Sequence, residues 1–321
     1  MTSAYAEAAA ASPPKKARGA ALDSVFEALC FGAATLMLTA LGGLIVSLAI
    51  GGWPAFAKFG FGFFLTDRWD PVAEVYGALG ALTGTVVTSA LALAIALPLA
   101  LGVAIFLVEL CPPPLRRPIG TAVELLAGIP SIVYGMWGLF VFAPWFAKHI
   151  QLPAMMAAPP GTIWETITTG VPNGAGILSA SVILAIMILP FMAATLRELL
   201  LTIPAPVRES AYGLGSTTFE TVSKVSLPYV RTGAIGAVML GLGRALGETM
   251  AVTFIIGNAH GLPTSIFASG STIASTIANE FAEATGELHT ASLIALGLVL
   301  FLITFAVLAL ARLLISRQAH A

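Results

Sequence analysis

Six stretches of the chain, about 24–50, 78–109, 118–146, 174–197, 232–257 and 290–315, are each long and apolar enough to cross a bilayer. Lipid offers no partner to a free backbone N–H or C=O, so a run of roughly 20 apolar residues there must close its hydrogen bonds internally, as a helix. Composition agrees. Hydrophobic residues make up 58% of the 321 and charged residues 10%, whereas a soluble domain typically carries about a quarter charged residues. An all-α membrane protein with six transmembrane helices is expected. Pro98 and Pro130 fall inside the second and third stretches and predict kinks there. The first run, Ala28 to Ile50, outlasts the roughly 7–15 residues of a signal-peptide core, so it reads as a retained span despite Ala55-Phe56-Ala57 behind it.

Six spans return both termini to one side, and positive charge marks that side. Lys15, Lys16, Arg18, Arg116, Arg117, Arg197, Arg208, Lys224, Arg231, Arg312 and Arg317 would share it, against Lys58, Arg68 and Lys148 opposite. Positive residues favour the cytoplasm, so both termini are expected there. Residues 1–22, rich in Ala, Pro and Lys, read as a flexible cytoplasmic tail, and 23–321 as the transmembrane domain. Of the two segments expected outside, 51–77 is crowded with aromatics suited to a membrane interface. In 264–285, Ile266, Ile273, Ile277 and Phe281 recur at helical spacing, predicting an amphipathic surface helix. Such a helix could cap a pathway, receive a soluble partner or rest on the bilayer.

Several chemistries are disfavoured. The basic residues form no stripe with stacking aromatics, so nucleic acid is not an expected partner; membrane lipid is. Cys30 and Cys111 are too far apart in sequence for a tight metal clip and read as unpaired thiols. His149, His260, His289 and His320 are dispersed and read as solvated surface residues, with no catalytic set and no metal site.

The polar segment 198–231 is the richest in pattern. Pro204 and Pro206 close the preceding helix, Val207 to Lys224 reads as one or two short helices, and Leu227-Pro228 ends them. Glu209-Ser210-Ala211 is followed by Gly215 and, nine residues on, by Val225-Ser226-Leu227-Pro228. This resembles the EAA loop of ABC importer permeases, Glu-Ala-Ala, three residues, Gly, nine residues, Ile-x-Leu-Pro, with Ser210 and Val225 as small departures. The resemblance implies a type I importer permease (MetI-like) fold. It also implies a coupling helix in which Glu209, Ala211, Gly215, Leu227 and Pro228 serve an ATP-binding subunit. The physics of the loop suits that role, since Gly215 permits a sharp turn and Arg208, Glu209, Glu220 and Lys224 supply polar contacts.

Arg244 lies in the fifth stretch, about 20 Å of helix beyond Arg231, and so near mid-membrane. Charges there are costly and usually face a bundle interior or a wet path. Glu248 follows at i+4 on the same face, flanked by Gly243 and Gly247. A guanidinium fork suits a tetrahedral oxyanion, with Glu248 compensating the charge of an empty path; the same spacing serves a structural ion pair that locks two helices. Ser131, beside Pro130, could add a hydroxyl donor to the path or simply stabilise its helix.

The resemblance narrows with Leu126 to Gly135, Gly241 to Asn258, Ile277 to Phe281 and Ser292 to Gly297. These are similar to segments of the PstC-type permeases of phosphate-specific ABC importers. That family implies a second homologous permease subunit, a dimer of ATP-binding subunits and a periplasmic phosphate-binding protein as partners, with inorganic phosphate as substrate. The chain has no GxxxxGK[ST] loop, so ATP is expected on a partner and no cofactor on this chain. A permease for sulfate or molybdate is the nearest alternative, and a secondary transporter a more distant one.

Overall fold

A computed structural model describes residues 20–318, with side chains from Asp23 to Leu313. The tail expected over 1–22 lies, up to residue 19, outside the described residues. The chain divides into two units at Ile50. In the first, helix α1 (Ala20–Phe59) begins, and its side chains from Asp23 to Ile50 are almost all exposed.

The second unit is built on two helices, α2 (Leu79–Ile105) and α5 (Ile177–Leu201). Ala92, Ala96, Ala100 and Ala104, spaced one turn apart on α2, are all fully buried. They share a core with Ile183, Leu184, Met187, Ile188 and Met192 of α5. Small side chains let two backbones approach where lipid supplies no hydrophobic push. The two helices run in the same direction. Near their starts, a Cβ on Gly84 would stand 1.9 Å from the Ser271 carbonyl oxygen, and Ile177 N–H donates to Ala268 at 3.1 Å. Both starts therefore rest on one segment.

Between them lie α3 (Pro113–Ala127) and α4 (Ser131–Trp137). The expected kink at Pro130 is instead a break, with the two helical runs bent by 87°. Pro130 has no N–H to continue the ladder and drives Ile129 out of helical backbone. By contrast α2 runs on through Pro98. Next come α6 (Ala205–Gly213), α7 (Leu227–Leu246) and α8 (Met250–Ile255). Glycines bring α7 onto α5, since a Cβ on Gly233 or Gly241 would meet Leu199 or Met192 at 2.6 Å. The chain ends with α9 (Ile273–Glu280) and α10 (Glu287–Gln318). Among the described residues five helices are long and apolar enough to cross a membrane, six if the bent pair counts as one.

The segments expected outside differ from their sequence reading. Only Ile273–Glu280 of 264–285 is helical, and its first four residues are buried rather than lying on a surface. Residues 51–77 fold into a small body of their own. A hairpin of β1 (Trp69–Asp70) and β2 (Val75–Tyr76) is antiparallel, with Trp69 opposite Tyr76. Phe63, Trp69 and Tyr76 are buried rather than interfacial.

His289 is largely buried rather than solvated, and His260, though exposed as expected, is not free. Both ring Nε2 atoms meet Glu280, at 3.0 and 2.8 Å, and Trp69 Nε1 donates to the same carboxylate at 2.7 Å. Tyr76 stacks on the His289 ring. Glu280 thereby ties the hairpin, the loop after α8, α9 and the start of α10. Burial pushes its acidity down, but hydrogen bonds from His260, Trp69 and His289 outweigh that and hold its pKa below the ordinary 4.5. A carboxylate with a lowered folded-state pKa stabilises above its unfolded value and loses that contribution as pH falls through the folded one. Glu280→Gln should destabilise the protein by about 1–3 kcal/mol at neutral pH, as buried donors lose an ionised acceptor. Thermal unfolding in detergent should show this deficit shrinking as pH is lowered below 4.5.

Candidate functional site

The polar loop is compact and capped at both of its turns. Helix α6 ends at Gly213, and Gly215 follows in the left-handed region at φ +87°. Ser216 N–H donates to Ala211 at 3.2 Å and Gly215 N–H to Tyr212 at 2.9 Å, which satisfies two terminal carbonyls of the helix. Thr217 then opens a second short helix, Thr218–Thr221, through a reciprocal capping box with Glu220. The Thr217 backbone N–H, above all, and the Lys224 ammonium hold the Glu220 carboxyl below its usual value. A π-helical turn, Val222–Ser226, continues into α7. Leu227-Pro228 does not end the loop helix as expected; proline without an N–H is tolerated in a helical first turn, and the run continues from Thr218 to Leu246.

This arrangement presents a defined face. Leu214 is 89% and Phe219 79% exposed, beside an exposed Glu209. Ala211 turns inward and is buried, Leu227 is half-buried and Pro228 exposed. Exposed apolar side chains flanking a charge suit a site for a soluble partner better than free solvent.

Arg244 and Glu248 do not pair as their spacing suggested. Helix α7 stops at Leu246, and Gly247 caps it with its own N–H. Because the backbone leaves the helix before Glu248, i+4 no longer means one face. Glu248 instead accepts from Ala251 N–H at 3.3 Å, at the start of α8. Arg244 lies over the Phe191 ring, 5.7 Å from its centroid, and its charge acts on the Tyr134 phenol. Three elements, α4, α5 and α7, thus meet around a guanidinium with no carboxylate partner among the described residues. Its N–H donors are available to an anion. Ser131 opens α4 half-buried, without a hydrogen-bond partner among the described residues. Gly135, one turn further, allows α8 to come close, since a Cβ there would stand 2.9 Å from Ala251 Cα.

Sequence reasoning missed two features. The Glu280 cluster joins residues far apart in sequence, Trp69 included, and no local pattern announces it. Glu109, in the π-helical turn Phe106–Leu110 that extends α2, lies against Arg208 of the polar loop; a lone carboxylate at the end of a span was the available signal. Both cysteines are free, Cys111 buried and Cys30 exposed.

A bundle of membrane-length helices with a capped polar loop at one end and, among the described residues, an arginine without a carboxylate partner is an integral membrane architecture. Residues 96–320 match the family described as binding-protein-dependent transport system inner membrane component, and the chain belongs to that family. Among its relatives, the phosphate transport system permease protein PstC of Mesorhizobium japonicum is 54% identical over 302 residues, 94% of this chain and 92% of the relative. The protein of the same name from Pasteurella multocida is 53% identical, covering 86% of each chain. A probable counterpart from Methanocaldococcus jannaschii is 38% identical over 78% of this chain and 80% of its own. Among solved structures, a bacterial ABC transporter involved in the import of the acidic polysaccharide alginate superimposes with a TM-score of 0.58 at 18% identity, covering 92% of this chain and 98% of that one. The fold is that of a type I ABC importer permease.

Gly215 offers a direct test of the loop. A Cβ there meets nothing within 4 Å, so only its positive φ opposes substitution. Gly215→Asn should be tolerated, while Gly215→Val should destabilise the turn by about 1–2 kcal/mol, read as faster proteolysis within 205–221.

Proposed function

We propose that the chain is a permease subunit of an ATP-driven importer that carries inorganic phosphate across the bacterial inner membrane. The observation that carries this reading is the similarity to phosphate permeases at about half identity over nearly the whole chain. The loop supports it, since its exposed Leu214, Phe219 and Glu209 make a seat for a soluble motor.

In this reading the loop end faces the cytoplasm, as the surplus of Lys and Arg on that side favours. Both termini lie there too. Two ATP-binding subunits dock on this loop and its counterpart in a second, homologous permease. A periplasmic phosphate-binding protein delivers the substrate to the opposite end. ATP is bound and hydrolysed by the motor subunits, and this chain needs no cofactor.

Transport proceeds by alternating access. Closure of the nucleotide dimer moves the loop and opens the bundle outward; hydrolysis returns it inward. Phosphate passes Arg244, whose guanidinium rests on Phe191 and is not neutralised by Glu248. Glu248 acts as a helix cap at the break, and Ser131 stands as a further hydroxyl on the path.

Membrane vesicles carrying the assembled transporter test this. Wild type should take up labelled phosphate only with ATP, and unlabelled phosphate should compete better than sulfate or molybdate. Arg244→Ala should leave assembly intact and lower uptake by about tenfold or more, the worth of a hydrogen bond to a charged group. Uptake that follows the proton gradient without ATP would overturn the reading.

A further inference from the structure

Among the described residues, one ion pair joins α6 to another element. Arg208 Nε lies 3.6 Å from Glu109 Oε1, with Glu109 6% and Arg208 18% exposed. Arg208 Nη2 also donates to the Leu200 carbonyl in the last turn of α5, where terminal carbonyls lack helical partners and the dipole favours a cation. A single guanidinium therefore touches three elements: its own helix α6, the end of α5 and the end of α2. Around it, Val108, Leu200 and Ile203 are buried in one core, with Val207 packed against it.

This contact is poorly suited to be merely a stabiliser. Neither Glu109 Oε1 nor Arg208 Nε has a hydrogen-bond partner. A buried pair left at that distance recovers little of its desolvation, and apolar side chains of similar volume usually serve stability as well or better. What apolar side chains cannot supply is direction. Hydrophobic contact is non-directional, whereas the Arg208 guanidinium, hydrogen-bonded to the Leu200 carbonyl and facing the Glu109 carboxylate, sets the position of α6 against both helix ends. Arg208 also immediately precedes Glu209, on the helix whose exposed face awaits a partner.

We propose that Glu109 and Arg208 are positioning residues that form the joint between the motor-docking helix and the bundle. The inference rests on the proposed function. When a docked motor displaces α6, Arg208 draws the ends of α2 and α5 with it, through Glu109 and the Leu200 carbonyl respectively. Glu109 touches neither motor nor substrate; it makes the movement of one produce the movement of the other.

The test uses the complete transporter reconstituted in vesicles with its binding protein, recording ATP hydrolysis and phosphate uptake together. Glu109→Gln keeps the size of the side chain and removes its charge. It should leave assembly and basal ATP hydrolysis unchanged and lower phosphate taken up per ATP by about tenfold, within the usual range of coupling between sites. The double variant Glu109→Leu with Arg208→Met separates joint from stabiliser. It should assemble with an unfolding temperature equal to wild type or higher, yet remain as uncoupled as Glu109→Gln. A double variant that transports at the wild-type ratio would overturn the proposal, because apolar packing would then suffice. An unchanged ratio in Glu109→Gln would overturn it as well. Absence of ATP-dependent phosphate uptake in wild type would instead count against the transport function itself.

Discussion

The close parallel contact of α2 and α5 is the constraint on which the rest of the structure depends. It rests on side-chain size. Four alanines one turn apart on α2 are fully buried in the core they share with the larger residues of α5. In lipid, no hydrophobic effect presses one apolar helix on another, so dispersion across a tight seam must do so. Both ends of this seam carry something specific. At one end, Gly84 and Ile177 receive the segment around Ala268 and Ser271. At the other, Glu109 and the Leu200 carbonyl receive Arg208. The segment at one end and the polar loop at the other thus both contact this pair.

Around that pair the fold places its breaks where two backbones must part or a side chain must be freed. The break before Ser131 swings α4 so that Gly135 can meet α8. The break at Gly247 ends α7 and begins α8, and it removes Glu248 from the face of Arg244. An arginine held by an aromatic ring keeps its five N–H donors, while one held by a carboxylate would have spent two of them. Loss of the expected pair thus makes Arg244 better suited to an anion.

The apolar runs and the polar loop were largely legible in the sequence because each is a local property, though the third run is broken before Ser131 and the fifth lies at Thr218–Leu246 rather than 232–257. Apolar runs report burial in lipid directly, and Pro204, Gly215 and Thr217 carry their own turn chemistry. What was not legible was non-local or depended on a single break. Spacing placed Arg244 and Glu248 on one face only while the helix continued, and Gly247 decided otherwise. The histidines looked dispersed because Trp69, His260, Glu280 and His289 are assembled by folding alone. In 264–285 the helical periodicity held for one short stretch, and the rest instead supplied backbone to the starts of α2 and α5.

The continuity of the chain through Leu227-Pro228 bears most on mechanism. Had proline ended the loop there, motion of the loop would have been absorbed at a hinge. Instead the helical run that begins at Thr218 passes Pro228 and reaches Leu246. From Leu227 to Arg244 it spans about 25 Å. Continuous helical backbone therefore joins the capped loop to Arg244. Gly233 and Gly241 keep this helix close to α5, whose Leu199 and Met192 side chains fill the space a Cβ would take. The capped loop and Arg244 thus lie along one helical run, beside the helix pair whose ends Arg208 contacts through Glu109 and the Leu200 carbonyl.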